Sequence, residues 1–207
     1  MQKYYALIIL LAVSGLFWGS PVHAQLLQLA VSGRVVPLPG SQVWHDSAQD
    51  LTFPLHFHTR IKPRTLLIGR DHPNSVRFLA LFPGRGIPLP LRFDKNFRGF
   101  DDFGDLKPGY LIQVAEHHFG KESVPQIIVA VGNGRDDLAV NVVAYHAPKL
   151  ARNRNQQSNW ILDGSFSGQI TAIISAGILT LPAGPQQKPV RYKWVSGRFV
   201  EERGDQN

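Results

Sequence analysis

The sequence has no cysteine and a single methionine among its 207 residues. Without cysteine there is no disulfide scaffold, no thiolate zinc centre, no iron–sulfur cluster, no cysteine nucleophile and no thiol switch. Acids are scarce beside bases, 15 Asp and Glu against 22 Lys and Arg, for a formal net charge of +7. No segment shows the apolar period of an ordinary helix. What is plentiful is glycine and proline, 19 and 15, in a chain that is 43% hydrophobic. That balance excludes collagen and a disordered tail and leaves a compact body in which apolar burial alone must offset chain entropy.

The longest apolar stretch, Tyr4 to Trp18, follows Lys3 and precedes Gly19-Ser20-Pro21 and Val22-His23-Ala24. A basic start, a short apolar segment and a small-x-small ending mark a secretory leader, with cleavage expected after Ala24. Interrupted by Ser14 and Gly15, the stretch falls short of the ~20 residues that span a bilayer, so no transmembrane segment is expected in the mature chain. The product is therefore expected to be periplasmic or secreted. Its excess of cations predicts attraction to an anionic glycan, an envelope surface or an acidic protein partner, and no nucleic acid in that compartment.

Short runs rich in Val, Ile, Phe and Tyr alternate with Pro, Gly, Asn and Asp at the spacing of strands. The expected fold is all-β and mainly antiparallel, a β-sandwich or partial propeller-like sheet assembly with few or no long helices. Strands are expected over 25–37, 51–61, 65–68, 75–82, 87–93, 110–117, 126–131, 138–145, 160–166, 169–175, 178–181 and 190–201. In 190–195, alternation sends Val190, Tyr192 and Trp194 to one face and Arg191 and Lys193 to the other. Ser196-Gly197 is the tight turn that follows. The segments 126–131 and 138–145 are apolar on both faces and read as paired central strands. Proline crowds the chain up to Pro108, so residues 25–207 are expected to form one β-rich domain with any sub-boundary near 108. Val31-Ser32-Gly33-Arg34 recurs as Val195-Ser196-Gly197-Arg198, which shared hairpin chemistry explains, and which a closed architecture pairing the first and last strands would also accommodate.

The stretch Phe119-Gly120, Gln126-Ile127-Ile128-Val129-Ala130-Val131-Gly132-Asn133-Gly134 and Leu138-Ala139-Val140-Asn141-Val142-Val143-Ala144-Tyr145 resembles one blade of the FG-GAP and VCBS-like repeats of exported bacterial β-proteins. Tyr192-Lys193-Trp194-Val195-Ser196-Gly197-Arg198-Phe199-Val200 resembles the aromatic, turn, aromatic ending of such proteins. The resemblance implies an exported sheet protein. Those repeats carry an Asp-rich calcium loop before the apolar strand, where this chain has His117-His118-Phe119-Gly120-Lys121-Glu122, so calcium is not carried over. A full propeller needs at least about four blades of four strands, more than the chain has room for.

Several groupings carry candidate chemistry. Lys149, Arg152 and Arg154, set among amide side chains and close to Trp160, form either a contact for an anionic glycan with Trp160 as stacking platform or a mobile surface loop. His56 and His58 alternate on one strand face, a spacing that holds zinc or copper if His45, His72, His117, His118, His146 or Glu116 adds a ligand, and that equally suits surface histidines. Asp94, Asp101, Asp102 and Asp105 are interleaved with Arg92, Lys95, Arg98 and Lys107, which makes a self-neutralising loop the better reading than calcium. In Gly164-Ser165-Phe166-Ser167-Gly168 the centre of a nucleophile elbow is occupied by Phe166, so no catalytic residue is assigned. The sequence thus points to a non-catalytic recognition protein without a required cofactor. Alternatives are a metal-binding envelope protein or metal-dependent hydrolase using His56 and His58, and an accessory component of a secretion or surface-assembly system that pairs through strand edges.

Overall fold

The computed structural model describes residues 25–45, 51–56, 65–69, 78–82, 89–90, 92–93, 109–122, 124–145, 160–182 and 188–202. Among them are sixteen strands and no helix. In chain order these are β1 (Leu27–Val31), β2 (Arg34–Pro37), β3 (Gln42–His45), β4 (Leu51–Pro54), β5 (Thr65–Gly69), β6 (Phe78–Phe82), β7 (Leu89–Pro90), β8 (Arg92–Phe93), β9 (Leu111–His117), β10 (Gln126–Gly132), β11 (Leu138–Tyr145), β12 (Trp160–Gly168), β13 (Ala172–Ser175), β14 (Ile178–Leu181), β15 (Val190–Val195) and β16 (Arg198–Glu201). The fold is all-β and sandwich-like, as the sequence predicts.

Three sheets form. A hairpin sheet runs β16-β15-β14-β13-β1-β2, a central sheet β3-β9-β10-β11-β12-β8, and a small cover sheet β4-β5-β6-β7. Pairing is antiparallel throughout except for β1 on β13 and β8 on β12. The first two sheets each draw strands from both sides of position 108.

The central sheet is apolar on both faces because both faces are covered. Ile128, Ala130, Val140 and Val142 pack with Leu27, Ala172, Ile174, Leu179 and Trp194 of the hairpin sheet. Ile127, Val129, Val131 and Val143 pack with Phe53 and Leu66 of the cover sheet. Burial on two sides is what a strand without polar alternation requires, and every residue of β10 is buried.

The hairpin sheet is three two-residue hairpins side by side. Their turns are Ser32-Gly33 (φ 49° and 77°), Ala176-Gly177 (44° and 80°) and Ser196-Gly197 (50° and 88°). Positive φ at both central residues is the mirror-type turn whose twist suits a hairpin. The first of these divides the segment 25–37, expected as one strand, into β1 and β2. The same dipeptide at Ser196-Gly197 is legible as a turn because one-sided alternation makes the flanking strand plain. Strand β3 falls outside the segments the sequence predicts as strands. The two Val-Ser-Gly-Arg copies lie at opposite edges of one open sheet, and among the described residues the first and last strands do not pair.

Polar ties join the two larger sheets. Buried Gln113 on β9 accepts at Oε1 from the N–H groups of Leu26 (2.7 Å) and Leu27 (2.9 Å). Its Nε2 donates to Gln25 Oε1 and Ser41 Oγ, both at 3.0 Å. The start of β1 is thereby anchored to the central sheet by a side chain acting as a strand partner.

Candidate binding surface

The β15–β16 hairpin follows the alternation expected of it. Tyr192, Trp194 and Phe199 turn inward and meet the central sheet in a connected aromatic group: Tyr192 to Phe166 at 4.4 Å, Phe166 to Phe199 at 5.1 Å, Phe199 to Trp194 at 4.9 Å and Phe199 to Phe119 at 5.0 Å. The Trp194 indole N–H donates to Glu122 Oε1 at 2.7 Å, so its one polar group is satisfied. Gly164 is required opposite this group, since a Cβ there would run into the Phe166 ring. That is the role of the glycine in the Gly-x-x-x-Gly stretch.

With the aromatics inward, the outer face of the hairpin sheet is left to the other residues of each strand. Cross-strand pairs line them up in rows. One row runs Arg191, Thr180, Ile173, Gln28, Pro37. The next begins Val200, Lys193, Ile178, Ser175, and Ala30 pairs with Val35 on the far side of the sheet. Val195 and Arg198 pair beside the last turn. Arg191 meets Glu202 at 3.3 Å. Lys193 and Arg198 are exposed and make no ion pair among the described residues. Val35, Val195 and Val200 are 51%, 42% and 43% exposed. The face is aliphatic and basic, and carries no aromatic side chain among the described residues.

The other candidates are placed as follows. Lys149, Arg152, Arg154, His58, His72, His146, Asp94, Asp101, Asp102 and Asp105 lie outside the described residues. Trp160 opens β12, its backbone opposite Tyr145. β4 ends at Pro54, and His56 lies two residues past it. His56 is brought to Glu116: its N–H donates to both carboxylate oxygens at 2.9 and 3.1 Å, and its Nδ1 lies 3.5 Å from Oε2. His117, next along β9, points to the opposite face, where its ring stands edge-on to Phe119 at 5.0 Å. Burial, helped by neighbouring His118, holds the His117 imidazole below the ordinary histidine value. His118 Nδ1 lies 3.1 Å from the Glu122 carbonyl, and His45 ends β3 opposite Leu111. Among the described residues no three His, Asp or Glu side chains are grouped to hold a metal ion.

The outward rows were not legible from sequence. Alternation in β15 gave the direction of Arg191 and Lys193, but their neighbours come from β1, β2, β13 and β14, over a hundred residues away in part, through the parallel step from β13 to β1. No helix among the described residues is long and apolar enough to cross a membrane. No family model, curated protein or solved structure matches the chain.

Proposed function

We propose that this is an exported, non-catalytic interaction protein that meets an anionic partner through the outer face of its hairpin sheet. The observation that carries the reading is the charge pattern of that face. Arg191, Lys193 and Arg198 project from the outer side of one two-strand hairpin, Glu202 is already engaged by Arg191, and Glu201 pairs with Tyr192 on the inner side. Lys193 and Arg198 are thus left without an ion-pair partner among the described residues, on a chain with a formal net charge of +7. Such a patch raises local anion concentration and speeds association in a salt-dependent way. The leader ending at Ala24 supplies the route out of the cytoplasm, and the basic stretch Lys149, Arg152 and Arg154 with Trp160 is counted as a second contact of the same kind.

The test separates the patch from overall charge. Lys193→Glu with Arg198→Glu is expected to lower the salt concentration at which the protein leaves a polyanionic matrix by more than Lys121→Glu with Arg135→Glu, an equal change of charge at two other exposed cations. Equal shifts in the two pairs would mean that net charge alone is being read and that the face has no special part.

A further inference from the structure

We infer that the anionic partner is a bilayer surface bearing acidic phospholipid headgroups, which the outer face of the hairpin sheet meets. The inference rests on the proposed function and adds the class of partner. What decides it is where the aromatic and aliphatic side chains go. A sugar is gripped by an exposed aromatic ring stacked on its apolar face, and on β15 and β16 Tyr192, Trp194 and Phe199 are all spent on the inner side. The outer side presents Val35, Val195 and Val200, with Ile173 and Ile178 between them and Lys193 and Arg198 alongside.

Aliphatic side chains at the depth of the headgroups, beside cations that reach phosphate, make the combination that holds a peripheral protein on an acidic membrane. A polyanionic glycan satisfies the cations but leaves the exposed valines in water, and an acidic protein covers them only where it brings a matching apolar patch. Charge complementarity is one-sided in the same sense. A second copy of the face would set cations against cations, which disfavours self-association.

Sedimentation of the processed protein with vesicles tests this. Binding is expected to vesicles containing phosphatidylglycerol and to be lost on pure phosphatidylcholine, with inorganic phosphate at the same ionic strength competing no better than chloride. Lys193→Gln with Arg198→Gln should weaken the partition on acidic vesicles by about 5-fold for each cation removed. Val195→Thr with Val200→Thr should weaken it as well while leaving retention on heparin unchanged. Val35→Thr, on the opposite flank of the sheet, repeats the measurement independently of the β15–β16 hairpin, and thermal melts verify that each variant is folded.

Valine variants that bind acidic vesicles as tightly as the wild type would overturn the lipid assignment and leave the anionic reading standing. So would tight, saturable binding to heparin or to an acidic protein with none to vesicles. If the charge variants change nothing on any of these surfaces, the proposed function falls together with the inference.

Discussion

Two buried amides on opposite faces of the central sheet meet opposite fates. Gln113, facing the hairpin sheet, uses both ends of its side chain, holding two backbone N–H groups and reaching Gln25 and Ser41. Asn141, facing the cover sheet beside Val129 and Val143, has no hydrogen-bond partner at either Nδ2 or Oδ1 among the described residues. The two side chains carry the same chemical group in the same sheet. The difference teaches that polar geometry reaches the buried middle of the hairpin-sheet interface, while on the cover-sheet side the polar tie of His56 to Glu116 sits at the exposed margin and the buried middle rests on apolar contact around an unsatisfied group.

The sharpest way to break that contrast is to remove the first amide. Gln113→Leu leaves the N–H groups of Leu26 and Leu27 buried without acceptors, each at a cost of about 1–3 kcal/mol. A loss of about 3 kcal/mol or more in urea unfolding is expected, with β1 loosening first in hydrogen exchange. A loss below about 1 kcal/mol would show that packing alone sets the interface. Next in size is Gly177→Ala. Gly177 has φ +80°, and a Cβ there would sit 2.5 Å from the Phe119 carbonyl oxygen, where the β13–β14 turn closes on the central sheet. About 2 kcal/mol is expected from the left-handed backbone and the displaced carbonyl together. The same change at Gly33, where a Cβ meets open space, should cost only the backbone part, so the difference between the two measures how tightly this side is packed.

On the other face the sign reverses. Asn141→Leu, close to isosteric, removes two unsatisfied polar atoms from the core and should raise stability by about 1 kcal/mol. A destabilising result would mean that the cover side is as demanding as the hairpin side, and the comparison would fail there.

How much of this was readable beforehand depends on the reach of each signal. Local alternation placed Tyr192 and Trp194 inside and Lys193 outside, and the unbroken apolar run of β10 announced a strand covered twice. Ser196-Gly197 declared its turn for the same reason. Ser32-Gly33 did not, because Leu29, Ala30, Val35 and Val36 around it are apolar without contrast and read as continuous. Gln113 looked like one more polar residue in an apolar strand, since its partners lie near residue 25, brought back by the parallel β1–β13 pairing that no local pattern encodes. The outer face was invisible for the same reason: its rows exist only once six strands are ordered. Of the His56 and His58 pair, His56 lies past the end of β4 at Pro54 and His58 lies outside the described residues.

The smallest expected effect concerns the acid limit of the hairpin-sheet side. His117 points into that interface against Phe119, and burial, with His118 beside it, lowers its pKa from the ordinary 6.5. In the unfolded chain the imidazole titrates at its ordinary value, so as pH falls below 6.5 the unfolded state takes up a proton that the folded state resists. Stability is then fully present above the unfolded value and declines as pH falls through the window toward the lower folded value. Urea midpoints measured at about pH 7.5 and about pH 5.5 should therefore drop less in His117→Phe than in the wild type. The variant keeps an edge-on ring against Phe119, so the two proteins should differ in the slope with pH more than in stability at the alkaline end. His118→Phe, at an exposed position, should flatten the slope less, removing only the charge beside His117 and leaving its burial intact. If the two variants flatten it equally, the acid sensitivity comes from repulsion between adjacent imidazoles, and the hairpin-sheet side owes none of it to desolvation.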